Sequence, residues 1–126
     1  MKRILVIEDD IELCDELKII LKDENYLTES ANNGLDGLNM IKKNKYDLVL
    51  LDLKMPGLNG LEVLKIIKNT YKDLKVIIIT ARMNIEIEEN KLKNEQEKNI
   101  LKLADKVIQK PFQIKNFLNT INNLIQ

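Results

Sequence analysis

Residues 4–10 read Ile-Leu-Val-Ile-Glu-Asp-Asp, which is four apolar residues without polar alternation and then three acids. A continuous apolar run of this length is typical of a strand covered on both faces, as strands are in a parallel sheet. Two further runs have the same character: Leu48–Leu51 ends at Asp52, and Val76–Ile79 ends at Thr80. The three runs predict the central strands of a parallel sheet, each followed at once by a polar residue.

Helical segments separate the strands. Apolar residues recur at helical spacing in 11–22, in 34–41, in 60–69 and in a last segment through Phe112, Phe117 and Leu124. Residues 26–31 are more polar and predict an edge strand, and 106–109 predict a short fifth strand. Five strands alternating with five helices indicate an α/β fold, a doubly wound five-stranded parallel sheet with helices on both faces. Because we find no repeat, linker or internal boundary, we predict one domain over residues 1–126.

One stretch is irregular. Residues 86–99 contain five Glu and three Lys but few apolar side chains. Pairs such as Glu89 and Lys93 could support a solvated helix, and partial disorder is an equally good interpretation. We interpret the stretch as a solvated surface rather than a specific partner site.

The composition excludes several classes of function. Twenty basic and twenty acidic residues give a formal net charge of zero, which disfavours direct nucleic-acid binding within these residues. The apolar runs are too short to span a membrane. The chain has no His and a single Cys, Cys14, which we interpret as a small buried hydrophobe. Internal disulfides, Ser-His-Asp triads and most zinc sites are therefore excluded, and chemistry must come from carboxylates, hydroxyls and lysines.

Polar side chains collect where the predicted strands end. The residues at these positions are Glu8, Asp9, Asp10, Asp52, Thr80 and Lys110. Because the carboxyl ends of parallel strands lie at one edge of the sheet, we expect them to meet there. Crowded carboxylates with no His or Cys favour a hard divalent cation, above all Mg²⁺. Asp52 is the best candidate nucleophile, and the Glu8-Asp9 pair is better suited to the metal.

Lys110 and Thr80 suit a phosphoryl ligand, since they offer a positive charge and a hydroxyl donor. Each residue also has an ordinary interpretation. Asp9 or Asp10 could simply cap the first helix, and Asp52 could close a turn. The coincidence at four strand ends favours a functional site.

These residues resemble a known family, the CheY-like receiver domain of bacterial two-component response regulators. The resemblance covers essentially the whole chain and depends on four elements: Ile4–Asp10, Asp47–Gly60 with its Asp-Leu-Lys-Met-Pro sequence, Thr80-Ala81, and Lys110-Pro111-Phe112. It implies a sheet of order 2-1-3-4-5 and a cytoplasmic protein that switches an output partner or domain.

The resemblance also implies roles for individual residues. Asp52 would accept a phosphoryl group from a sensor histidine kinase, a phosphotransfer protein or a small phosphodonor, without being an enzyme in the ordinary sense. Asp9, Asp52 and the backbone carbonyl of Lys54 would bind Mg²⁺ directly, and Glu8 would act through a water. Thr80 and Lys110 would contact the phosphoryl oxygens.

Two further implications concern modulation and assembly. Lys54 and Arg82 occupy variable positions that influence the lifetime of the phosphoryl group in the family. If phosphorylation promotes a homodimer, the surface formed by the fourth and fifth helices is the family's usual route.

The sequence departs from the family's pattern near the fifth strand. Val107 stands where the family commonly has an aromatic residue that turns inward when the Thr moves, so ring burial cannot operate here. Leu103-Ala104-Asp105 replaces a usual Gly-Ala-Asp, and the stretch between Thr80 and Lys110 is longer than the resemblance leads us to expect.

These departures keep a second hypothesis open, a pseudo-receiver that binds partners independently of phosphorylation. An aspartyl-phosphate phosphatase is disfavoured because Lys54 stands where a second acid would be needed. A flavin-binding protein is disfavoured because no Ser/Thr/Gly-rich loop follows the first strand.

Overall fold

A computed structural model describes residues 1–55, 57–80 and 95–126, which alternate strands and helices. The strands are β1 (Arg3–Ile7), β2 (Leu27–Ala31), β3 (Leu48–Asp52), β4 (Lys75–Thr80) and β5 (Lys106–Gln109). The helices in these ranges are α1 (Ile11–Asp23), α2 (Gly34–Lys43), α3 (Gly60–Thr70), α4 (Glu95–Leu101) and α5 (Ile114–Ile125).

The five strands form one parallel sheet of order β2-β1-β3-β4-β5. The α/β architecture and the strand order are therefore confirmed. β2 lies at an edge, as its polar composition indicated. The chain order reverses beside β1, and in sheets of this kind ligands bind outside the carboxyl ends of the strands at such a point.

Alternation along the strands creates two cores. Leu5, Ile7, Val49, Leu51, Val76 and Ile78 pack against α2, α3 and Leu101 of α4, on what we call the α3 face. Ile4, Val6, Leu48, Leu50, Ile77 and Ile79 pack against α1 and α5, on what we call the α1 face. Because both faces are covered, the central strands needed the continuous apolar runs that the sequence shows. Cys14 is buried in the α1-face core, as predicted.

The last helix begins later than predicted. We expected it to include Phe112, but α5 starts at Ile114, and Phe112 precedes it. The ring of Phe112 stacks on Phe117, with ring centroids 4.8 Å apart. Phe112 therefore has the apolar spacing of a helical residue because it packs on the first turns of α5, although it lies before that helix.

Part of the sequence hypotheses falls outside the described residues. Pro56, Ala81 and Arg82 are among these, as are residues 86–94 of the Glu- and Lys-rich stretch. The remaining residues of that stretch, 95–99, lie in α4. Within the described ranges, no helix combines the length and the hydropathy that a bilayer crossing requires.

A polar cluster of Arg3, Glu29 and Tyr46 lies at the amino end of the sheet. The guanidinium of Arg3 on β1 forms an ion pair with Glu29 on β2 at 2.9 Å and lies 4.9 Å from the ring centroid of Tyr46. The hydroxyl of Tyr46 donates to the Glu29 carboxylate at 2.5 Å. Burial of the phenol, and then its hydrogen bond to Glu29, raise the pKa of Tyr46 to about 12.

This shift predicts a late tyrosine titration. Folding favours the neutral phenol, so the resulting stability is complete below the ordinary tyrosine pKa near 10 and is lost as the pH rises through about 12. In an absorbance titration of tyrosinate, we expect Tyr46→Phe to remove the step at the highest pH. Persistence of that step in Tyr46→Phe would show that the cluster does not hold the phenol.

Candidate functional site

The carboxyl edge of the sheet brings together most of the residues predicted to be functional. Glu8 directly follows β1, Asp52 ends β3, Thr80 ends β4, and Lys110 directly follows β5. Glu8, Asp52 and Thr80 are the buried polar or charged residues of the described chain, with exposed fractions of 3%, 8% and 2%. Charged groups are seldom buried without a functional or structural reason.

Three carboxylates converge at this edge. Glu8, Asp9 and Asp52 each place a carboxylate oxygen within 4.8 Å of the other two. Glu8 and Asp52 are buried, and Asp9 is exposed. Burial, followed by the hydrogen bond and negative charge of Asp52, raises the pKa of Glu8, and the nearby Lys110 opposes part of that increase. The chain alone leaves this cluster with excess negative charge.

Asp10 lies beside the cluster but has another role. Its side chain accepts a hydrogen bond from the backbone N–H of Leu13 at 3.2 Å, so it caps the amino end of α1. The capping interpretation is therefore correct for Asp10.

Lys110 provides positive charge next to the acids. Its ammonium donates to Oε1 of Glu8 at 3.1 Å, and its backbone N–H donates to the carbonyl oxygen of Thr80 at 2.7 Å. The Lys110 side chain is 19% exposed, so this ion pair is partly shielded from water. Sequence reasoning placed both residues at the edge but did not foresee that they pair with each other, since no local pattern links positions so distant along the chain.

The strand registers assign the site residues to different faces of the sheet. Asp52 follows Leu51 of the α3 face, so alternation places it on the α1 face. Thr80 follows Ile79 of the α1 face and lies on the α3 face. Thr80 must therefore approach a ligand on Asp52 from the opposite face of the sheet, at its carboxyl edge.

A tight loop holds Asp52. The backbone N–H of Lys54 donates to Oδ1 of Asp52 at 3.2 Å, and the N–H of Gly60 donates to the carbonyl oxygen of Leu53 at 3.1 Å. Asn59 caps α3 through the N–H of Glu62. The Lys54 side chain is exposed, so its backbone rather than its charge is fixed at the site.

Asn32 is a supporting residue that sequence reasoning missed. Its amide donates to the carbonyl oxygen of Glu8 at 3.1 Å and so fixes the loop after β2 to the end of β1. An Asn beside the edge strand gave no sequence signal of this contact, because Asn is common in loops for local reasons.

Gly60 provides a test of this loop. A Cβ at position 60 would lie 2.6 Å from the carbonyl oxygen of Asp52 and 2.7 Å from Cα of Leu53. Because both atoms are backbone, we expect Gly60→Ala to shift the Asp52 loop and to lower the free energy of unfolding by about 1–3 kcal/mol. Denaturant unfolding measures the loss.

Gly57 in the same loop is the matched control. It has a φ of 77° and open space around the position of a Cβ. Asn tolerates this left-handed conformation, so Gly57→Asn should cost less than Gly60→Ala. Equal losses in the two variants would contradict the importance of the close approach at Gly60.

The crowding of the three carboxylates leads to a second prediction. With divalent cations chelated, Asp52→Asn removes one of three converging charges at nearly constant volume. We expect it to raise the free energy of unfolding by about 1 kcal/mol, the energy of roughly one pKa unit. Asp10→Asn is the control, because Asn caps a helix as well as Asp does. A loss of stability in Asp52→Asn under chelation would mean that the charges do not repel appreciably.

Comparisons with known proteins agree with this geometry. The family model described as "Response regulator receiver domain" matches residues 4–122. Among curated relatives, response regulator MprA of Mycobacterium leprae is 32% identical over 124 residues, covering 98% of this chain and 51% of that protein. The CpxR homolog of Haemophilus influenzae, a transcriptional regulatory protein, is 44% identical over 82 residues, covering 65% of this chain and 35% of that protein. The chain thus spans about half the length of the MprA proteins that it matches.

Solved structures give the same result. TrrA of Thermotoga maritima, a response regulator crystallised in complex with Mg²⁺ and BeF, is 34% identical with a TM-score of 0.85, covering 98% of this chain and 99% of that one. TrrA in complex with histidine kinase ThkA gives a TM-score of 0.83 at 32% identity, covering 100% of both chains. This chain therefore belongs to the family of response regulator receiver domains.

Proposed function

We propose that Asp52 accepts a phosphoryl group in a Mg²⁺-dependent reaction, and that this modification switches the conformation of the domain. The observation that supports the proposal best is the convergence of Glu8, Asp9 and Asp52 beside the ammonium of Lys110. In this proposal, residues 1–126 form one receiver domain. It acts as a signalling phosphoacceptor and not as an enzyme that turns over a separate substrate.

The chemistry is a phosphoryl transfer to a carboxylate. An oxygen of Asp52 forms a bond to phosphorus while phosphorus loses its bond to the donor. The bond that breaks is to the histidine nitrogen of a kinase, the nitrogen of phosphoramidate or an oxygen of a small acyl phosphate, and the remainder of the donor departs as the leaving group. The product is a mixed anhydride of the Asp52 carboxyl group with phosphate. Lys110 neutralises charge on the phosphoryl oxygens, and the hydroxyl of Thr80 donates to one of them.

Mg²⁺ suits the donor atoms of this site. The available ligands are oxygens, and Mg²⁺ is usually held by one or two carboxylates with its other positions left to water and phosphate. We assign Asp9, Asp52 and the backbone carbonyl of Lys54 as direct ligands, with Glu8 acting through a water. When bound, the ion would supply the positive charge that this cluster lacks and that a phosphate dianion requires.

A sensor histidine kinase or phosphotransfer protein is the proposed phosphodonor. TrrA, a similar protein, has been crystallised with the kinase ThkA. Ile11 at the start of α1 and Ile114 at the start of α5 are 63% and 53% exposed, and both follow strand ends that carry site residues. Exposed apolar side chains that follow strand ends at the same edge of the sheet as Asp52 suit a partner that must approach Asp52 closely.

We further propose a cytoplasmic location, control of an output partner or domain, and no direct nucleic-acid contact by these residues. A homodimer through α4 and α5 is the proposed consequence of phosphorylation.

One observation favours a second candidate, the phosphorylation-independent pseudo-receiver. Val107 on β5 is 37% exposed and has no ring to bury, so this position offers no aromatic switch. The intact set of Asp52, Thr80 and Lys110 makes this the weaker proposal.

Phosphorylation of Asp52 is directly testable. Incubation with Mg²⁺ and acetyl phosphate or phosphoramidate should add the mass of one phosphoryl group, detected by intact-mass spectrometry. Chelation of Mg²⁺ should reduce the rate by at least tenfold, because the carboxylates would then repel the incoming phosphate.

Two variants define the acceptor in this experiment. Asp52→Asn should remove the adduct, and Asp10→Asn should keep it, because Asp10 caps α1 and lies outside the cluster. An adduct that survives in Asp52→Asn, or its absence from the wild-type chain with both donors, would refute the proposal. Partner binding that changes less than tenfold on phosphorylation would favour the pseudo-receiver.

A further inference from the structure

Gln109, the last residue of β5, lies directly beside Thr80. The register of the two strands pairs Thr80 with Gln109, and Ile79 with Ile108. Ile108 packs on the α1-face core, so alternation places Gln109 on the α3 face, where Thr80 also lies. Paired residues of neighbouring parallel strands are about 4.8 Å apart, which brings the two side chains within reach of each other.

The Nε2 atom of the Gln109 amide is buried without a partner among the described residues. It is excluded from solvent and finds no hydrogen-bond acceptor in the part of the chain that the structure describes. A buried donor in this situation costs free energy, because it has lost water and gained nothing in exchange. Any state of the domain that supplies an acceptor to this amide is therefore favoured by the bond that forms.

Val107 cannot perform the same role. It lies on the α3 face two residues before Gln109, is partly exposed, and carries no polar atom. On that face of β5, Gln109 is therefore the side chain able to respond to the position of the Thr80 hydroxyl by hydrogen bonding.

We propose that Gln109 is a positioning residue that couples the phosphoryl group on Asp52 to β5 through Thr80, an inference that rests on the proposed phosphorylation of Asp52. A threonine hydroxyl has one hydrogen to donate and two lone pairs to accept with. When Thr80 donates its hydrogen to a phosphoryl oxygen, its oxygen accepts from Nε2 of Gln109. Phosphorylation thus satisfies the buried amide and draws the ends of β4 and β5 together, which biases a two-state equilibrium toward the activated form.

Thr28 provides a matched control for the experiment. Its Oγ1 is likewise buried without a partner within the described ranges, but Thr28 lies on β2, at the far edge of the sheet from β5. Gln109→Met and Thr28→Val each replace an unpaired polar group with an apolar one of similar size. Neither should lower the stability of the resting chain, since each removes an unsatisfied group.

The two variants should differ once the phosphoryl mimic binds. The full chain is titrated with beryllofluoride at saturating Mg²⁺, with thermal stability as the readout. We expect the beryllofluoride midpoint to rise about fivefold in Gln109→Met, the equivalent of one net hydrogen bond, and to stay unchanged in Thr28→Val. Gln109→Leu serves as a second variant if the Met side chain disturbs the fold.

Two additional readouts separate coupling from a structural effect. In a Thr80→Val background, Gln109→Met should cause no further loss, because the two residues act through one contact. The side-chain NH₂ resonances of Gln109 should shift, and their exchange with water should slow, when beryllofluoride binds to the wild-type chain.

A wild-type response that Gln109→Met leaves intact, or a loss that persists undiminished in Thr80→Val, overturns this inference alone. If the thermal stability of the wild-type chain does not respond to beryllofluoride and Mg²⁺, the proposed function is overturned, and this inference with it.

Discussion

The candidate site depends on the repulsion among three carboxylates, which the fold brings together and relieves only in part. β1 and β3 lie side by side, and each ends in a buried carboxylate, while Asp9 adds a third at the edge. Burial and the charge of Asp52 raise the pKa of Glu8, and the Lys110 ammonium offsets this only in part. Such an excess of negative charge attracts a cation. Once a cation is bound, the site suits a ligand that carries anionic oxygens. The chemistry proposed for Asp52 follows from that imbalance.

The two cores explain why these charges can be held in place. Apolar side chains on both faces hold the strands in place, and Gly60 packs so closely on the loop after Asp52 that a Cβ there would lie 2.6 Å from the Asp52 carbonyl oxygen. Rigid strand ends keep the acids together at a cost that packing elsewhere in the sheet outweighs. A site built on loops alone would relax by moving its carboxylates apart, and it would lose the arrangement that suits the proposed cation.

Sequence reasoning succeeded where the signal was local. The apolar runs before Asp52 and Thr80 revealed the strands, and parallel pairing then implied that their ends meet. It failed where the structure depends on contacts distant in sequence or on packing outside an element. The Glu8–Lys110 pair joins positions at opposite ends of the chain, and Phe112 imitates a helical residue by stacking on Phe117. No sequence signal marks the buried Nε2 of Gln109, which has no acceptor in the described part of the chain, since burial and register together define it.

The division of the site between two sheet faces gives a reason for a switch at this edge. Asp52 lies on the α1 face and Thr80 on the α3 face, so the proposed phosphoryl group on Asp52 would have to draw Thr80 across the sheet edge and change the relation between β3 and β4. That change passes to β5 through whatever Thr80 contacts there. Val107 offers no ring to bury, and in the coupling proposed above its place is taken by Gln109, whose Nε2 is buried without an acceptor among the described residues. A buried donor that finds no acceptor in the described chain makes this state less stable than it could be, and in the proposed switch that deficit contributes to the free energy of the transition.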